Sequence, residues 1–365
     1  MRLRSVTFVA LAATAACAHR PPADFAPDPG LVARIREIRI SAPASACPGA
    51  SFGATYTAVL DDGSYIPFAT TYDKNHPPRL HIVFLERHSD TATPLEGGGW
   101  SLDVDPLMSA LDGFHLTATL LAKPSVTATA AVAPDYSCLP HAFGFQGDFG
   151  REGPDVTVRL GIVRSPFYPR LIVAGIQVGQ APPFYTLADA NAVPPADWII
   201  VESKGGRGTR GTRGSAGTAG GPGQNGCPPS DGGNGGDGGP GGAGGAGGPG
   251  GHVTVIVPAG DPFLAGLVDA RTPGGEGGPG GAGGEPGKAG KGGAGGTDAR
   301  TGQPCPSGRD GLAGRIGTAG PNGAPGQPGA RPQILTVPLR DVFQAPLPPV
   351  LQQLLDGRRG PPGPP

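Results

Sequence analysis

The chain has 365 residues, of which 67 are Gly and 45 are Pro. That share reaches the level at which an aperiodic sequence defaults to disorder, so any folded reading has to rest on periodicity. A formal net charge of −1 supplies no overall field to gather nucleic acid or an anionic membrane surface, and nucleic acid is excluded as a partner on that ground.

The first residues read as a processing signal: Arg2 and Arg4, an apolar stretch over residues 6–13, then Thr14-Ala15-Ala16-Cys17. About a dozen apolar residues fall short of the roughly 20 that span a bilayer. The ending resembles the lipobox of bacterial lipoproteins, although Thr14 stands where that family prefers Leu. The resemblance implies lipidation of Cys17, loss of residues 1–16 as a signal peptide, and a membrane partner reached through the N-terminal lipid. Ala18, in place of the Asp that retains lipoproteins at the inner membrane, implies the outer membrane of the cell envelope. Ala16-Cys17-Ala18 also fits an ordinary signal-peptidase site, which keeps simple secretion open. Residues 17–30 then form the anchor and a Pro- and Ala-rich tether. Four cysteines remain, Cys47, Cys138, Cys227 and Cys305; an even count in an exported chain points to two disulfides, for which three pairings exist.

Residues 31–140 carry short strand candidates at 34–40, 81–85, 100–104, 114–121 and 125–132, and a segment 53–68 with Tyr56, Val59 and Leu60 before the turn Asp61-Asp62-Gly63-Ser64. This spacing suggests an antiparallel sandwich. Cys47-Pro48-Gly49-Ala50-Ser51, the Asp-Asp-Gly-Ser turn and Gly113-Phe114-His115-Leu116-Thr117-Ala118-Thr119 resemble bacterial immunoglobulin-like domains. Cys47 follows the first strand and Cys138 the last, so pairing them closes the domain. In residues 141–203, strands at 156–162 and 171–178 read as a hairpin, preceded by Gly144, Gly147, Gly150 and Gly153 at a spacing of three.

Residues 204–340 are dominated by that spacing. Gly recurs every third residue in run one (205–226), run two (232–251), run three (274–296) and run four (308–329), and runs two and three carry a second, adjacent register. Three residues per turn is the polyproline II period, in which each glycine register lines one edge. Such a helix has no internal hydrogen bonds, so its backbone groups pair with a neighbour, and an edge without Cβ is what permits the approach. Runs two and three, with two edges, are therefore expected at the centre of an antiparallel bundle of four, flanked by one and four. Strand-like segments adjoin every run, including an insertion over residues 253–270. Cys227 and Cys305 then fall at the same end of the bundle and pair. The Gly-Gly-x runs resemble the glycine-rich antifreeze proteins of snow fleas, and the alternation of Gly-x-x runs with Val-Thr-Val strands resembles bacterial collagen-like proteins. Neither resemblance implies catalytic residues. Residues 341–365 read as a Pro-rich tail.

Lys204, Arg207, Arg210 and Arg213 form a basic stripe at the same spacing, a candidate anion-binding surface for envelope glycans or other surface proteins, against the plainer reading of a solvated face. Asp103-Val104-Asp105 lacks the further ligands a calcium site needs. No residues stand out as catalytic or metal-ligating, and no cofactor is expected. The expected fold class is thus mainly β plus polyproline II: an N-terminal immunoglobulin-like β-sandwich, a small sheet, and an antiparallel bundle of about four polyproline II helices. The expected function is that of a monomeric, non-catalytic structural or adhesive envelope lipoprotein projecting a glycine-rich rod, with glycan binding as the alternative and ice binding last.

Overall fold

The computed structural model describes residues 21–344 and 346–357. They form two compact units. The first comprises the chain up to Cys138 together with Arg164–Pro169 and the segment from Pro349; the second comprises Leu139–Val163 and Arg170–Pro348.

The first unit holds strands β1 (Ile35–Ser41), β2 (Ser45–Ala46), β3 (Ser51–Phe52), β4 (Thr55–Leu60), β5 (Tyr65–Pro67), β6 (Leu85–His88), β7 (Ala92–Pro94), β8 (Trp100–Leu102), β9 (Phe114–Leu120) and β10 (Thr127–Pro134). They pair in three sheets, ordered β1-β4-β5, β2-β10-β9-β6 and β3-β8-β7. Alternating apolar residues of β4 and β9 supply Tyr56, Ala58, Phe114, Leu116, Ala118 and Leu120 to a core that also takes Ile35, Leu80 and Trp100. An internal polar link runs through Tyr56, whose hydroxyl accepts from Trp100 Nε1–H at 2.8 Å and donates to the Gly98 carbonyl at 3.0 Å. Residues 81–85 depart from the expected strand. His81 Nδ1 accepts from the Val83 N–H and closes a 3₁₀ turn over Ile82–Phe84, a local side-chain bond that displaces the ladder.

The second unit holds β11 (Ala142–Gln146), β12 (Val156–Val163), β13 (Leu171–Val178), β14 (Phe184–Asp189), β15 (Ile199–Lys204), β16 (Val253–Pro258), β17 (Val268–Arg271) and β18 (Gln333–Val337). One sheet is β11-β15-β17, all parallel; the other is β14-β13-β12-β16-β18, in which β12-β16 and β16-β18 are parallel. Val156, Val158, Leu160, Ile172, Ala174 and Ile176 pack with Ile199, Val201, Val253 and Val255 in a single core.

These sheets correct the expected fold class. The described chain is mainly β in five small sheets with no closed barrel. The residue 31–140 region is not the two-layer immunoglobulin-like sandwich, because its strands are too short and too often broken by turns to share two continuous sheets. The second unit has two sheets where one small sheet was expected. The glycine runs, expected as a bundle of polyproline II helices, add no strand and no α- or 3₁₀-helix to the fold. The tail beyond residue 340 contains the short helix Pro349–Leu355, which buries Leu351 and Leu354.

The disulfides are Cys47–Cys138 and Cys227–Cys305. Parallel pairing of β2 with the end of β10, Ala46 opposite Pro134, brings the first pair together. Disulfides persist in oxidising compartments, which places the chain in an exported setting. No helix among the described residues is long and apolar enough to cross a membrane.

Candidate functional site

The candidate surface is the block formed by the four hydrogen-bonded glycine runs, and its geometry is inherited from the sheets. Runs one and three leave β15 and β17, which are parallel; runs two and four enter β16 and β18, also parallel. The runs keep those registers. Gly208, Gly211, Gly214 and Gly217 donate to the carbonyls of Glu276, Pro279, Ala282 and Glu285, and Gly235, Gly238 and Gly241 donate to those of Leu312, Arg315 and Thr318. Antiparallel contacts complete the network. Gly245 donates to Thr209, Gly278 to Gly245 and Gly323 to Gly278. Runs two and three thus each bond to all three other runs, and the glycines of run three's inner register are buried. Residues 147–153 lie against the near end of the block, where Gly147 and Gly150 donate to Lys204 and Arg207.

Only glycine fits the inner rows. A Cβ on Gly242 would fall on the Thr212 hydroxyl and backbone, and one on Gly281 on the Thr212 carbonyl. The remaining side chains stand outside in exposed rows. In one row Asp231, Asn234 and Asp237 accept from the backbone N–H groups of Arg309, Leu312 and Arg315 at 2.7, 2.8 and 2.6 Å. This Asx ladder satisfies donors that the glycine registers do not reach. At the far end the Cys227–Cys305 bond joins the loop after run one to the loop before run four.

The basic stripe lies on the face shared by runs one and three. Parallel pairing sets acidic residues of run three beside it: Lys204 Nζ is 3.6 Å and Arg207 Nε 4.0 Å from the Glu276 carboxylate, and Arg213 Nη2 is 2.7 Å from Glu285 Oε1. These pairs are exposed, so each contributes about 0–1 kcal/mol, weakened by salt. Among the described residues Arg210, Lys288 and Lys291 on this face make no ion pair. With Lys288 and Lys291 added and Glu276 and Glu285 set against them, the face keeps as much net positive charge as the stripe alone carries. The stripe is legible in the sequence spacing and its counter-charges are not, because Glu276 and Glu285 come close only through the β15-β17 register.

The other candidate positions have structural explanations. Asp103 Oδ1 accepts from the Asp105 N–H, and Asp105 Oδ1 caps the 3₁₀ turn at Leu107 N–H. No group of three or more His, Cys, Asp or Glu is arranged to hold a metal ion among the described residues. The Ser64 hydroxyl and N–H hold the Asp62 carboxyl down at about 2, a feature of the turn. Cys17 lies outside the described residues. His252 Nδ1 sits 3.3 Å from both Glu152 and Asp155, all exposed, at the rim of a polar hollow. No protein-family model and no curated protein matches the chain.

Proposed function

We propose that this chain is an exported, non-catalytic envelope lipoprotein, tethered through Cys17 and monomeric, whose glycine-rich block serves as a structural or adhesive surface. The observation that carries the reading is the division of labour in the block: glycine N–H groups are spent on neighbouring runs of the same chain, while nearly every other side chain faces outward in periodic rows. A body built this way has little apolar interior and offers an unusually large ordered surface per residue. Small exposed residues such as Thr209, Thr212, Ser215 and Thr218 line one row and give it a regular relief without a pocket. Anchoring at the outer membrane rests on the lipobox resemblance and the oxidising setting of the disulfides.

The test is subcellular fractionation with fatty-acid analogue labelling, followed by comparison of cell adhesion and envelope integrity with and without the gene. Wild type should carry label and partition with the outer membrane; Cys17→Ala should lose both. A labelled variant, or wild type found free in the medium, overturns the anchored reading. Glycan binding is the second reading, supported by Arg210, Lys288 and Lys291. It requires salt-sensitive retention on an anionic polysaccharide that Arg210→Ser weakens.

A further inference from the structure

The five-stranded sheet has an apolar face turned to the core, but its other face bears a charge. Arg159, in the middle of β12, is 6% exposed and takes part in no ion pair among the described residues. Its Nη1 donates to Gln177 Oε1 at 2.9 Å, a neutral acceptor, and its buried Nε–H has no partner. Beside the Gln177 amide and the Tyr185 phenol the guanidinium meets no full negative charge, and such a buried cation costs several kcal/mol unless an anion completes it. Burial indeed pushes the guanidinium below its ordinary pKa.

Arg159 lines a cavity of ≈ 290 Å³ whose walls include Gly175, Gln177, Pro182, Tyr185 and Phe343. The two rings approach bare backbone: a Cβ on Gly175 would come within 3.1 Å of the Tyr185 ring, and one on Gly161 within 3.0 Å of Phe343. A single fixed cation, an unfilled donor and aromatic walls make a specific combination. We infer that this cavity binds a small monocarboxylate with an apolar, ring-sized body, its carboxylate held by Arg159 and its body lying between Tyr185 and Phe343. The guanidinium of Arg159 brings both the positive charge and the planar N–H fork that a carboxylate accepts. One cation matches a monoanion; phosphate or sulfate would bring a second charge that no other lining residue neutralises. The volume, near the lower limit for ligand pockets, restricts the body to about one ring. This site does not depend on the envelope function proposed above.

The experiment titrates phenylacetate, phenylacetamide and sulfate into the full, disulfide-intact protein, followed by NMR of arginine Nε–H and aromatic protons. Phenylacetate should saturate one site, shift the Arg159 Nε–H and give NOEs to Tyr185 and Phe343, while the isosteric amide binds at least about tenfold more weakly. Arg159→Gln should lose phenylacetate binding by a similar factor, and Arg159→Lys, which keeps the charge without the fork, should fall between. If Arg159→Gln does not fold, the acid–amide comparison and the NOEs on wild type still decide. Equal affinity for acid and amide, binding retained in a folded Arg159→Gln, sulfate competing equally, NOEs elsewhere, or no saturation by phenylacetate at about 10 mM would each overturn the assignment.

Discussion

Replacing Gly281 by Ala puts a methyl group onto the Thr212 carbonyl in the centre of the glycine block. The neighbour is backbone, so it cannot rotate away, and run three must move from run one. Two bonds depend on that position: Gly281 N–H donates to Gly242 O at 2.9 Å, and Gly281 O accepts from Gly320 N–H at 2.8 Å. Weakening both costs about 0.5–1.5 kcal/mol each, and overpacking adds about 1–3 kcal/mol. The smaller conformational freedom of Ala in the unfolded chain returns about 0.4–1 kcal/mol. The net expectation is a loss of about 1–5 kcal/mol. Gly221 is the matched control. It belongs to the same block, yet a Cβ there meets nothing within 4 Å, so Gly221→Ala is expected to be neutral or to stabilise by about 0.4–1 kcal/mol. Urea unfolding of both variants under oxidising conditions, with midpoints compared at constant m, measures the difference. If the two substitutions shift the midpoint alike, or Gly281→Ala is silent, the close-packed backbone account of the block is wrong.

Three further outcomes follow from other parts of the molecule. Tyr56→Phe leaves the buried Trp100 Nε1–H and the Gly98 carbonyl without their shared partner and should destabilise the first unit by about 1–3 kcal/mol; an unchanged urea midpoint would refute this. Replacing both Cys227 and Cys305 by Ser frees a loop with a sequence separation of 78 and should cost about 4–5 kcal/mol on chain-entropy grounds, while a loss under about 1 kcal/mol would show that the unfolded chain is already constrained. His81 is buried with its Nδ1 accepting from Val83 N–H and its Nε2 unpartnered, and desolvation lowers its pKa. Below the unfolded value of about 6.5 the unfolded chain therefore binds more protons, so the first unit should lose stability as pH falls from there toward the lowered folded value, and be unaffected by this group above it. His81→Gln should flatten that part of the pH profile; an equal slope in wild type and variant would rule His81 out as its source.

The sequence and the fold inform each other unevenly. The period of three was legible because it is a chemical requirement: wherever two backbones meet within hydrogen-bond distance, a side chain has no room, and doubled glycines mark runs that meet neighbours on more than one side. Val156–Val163 and Leu171–Val178 were legible as strands for the same kind of reason, since β-branched residues alternate or run together between turn formers. Register was not legible. Which acidic residue faces Arg213, or which N–H reaches Asp237, depends on pairings between strands about 70 to 80 residues apart, such as Ile199 with Val268 and Thr254 with Gln333. The sheets of the first unit were obscured by two-residue strands such as Ser45–Ala46, too short to leave a periodic signal. Residues 264–270 mixed two conformations, a 3₁₀ turn over Pro262–Leu267 and then the strand Val268–Arg271. Arg159 carried no signal at all, because a lone arginine in an apolar strand looks like an outward-facing residue, and nothing in the sequence shows that Tyr185 and Phe343 settle on the bare backbone of Gly175 and Gly161 beside it.

The glycine block is a body closed by backbone bonds within one chain. Residue-resolved amide hydrogen exchange, repeated at two protein concentrations, tests it most directly. Both registers of run two, Gly232 through Gly250 and Gly233 through Gly248, should be protected equally at each concentration, while the N–H groups of Thr209 and Thr212, which donate to no backbone carbonyl among the described residues, exchange fast. Uniformly fast exchange of the glycines, or protection that appears only at the higher concentration, would contradict it.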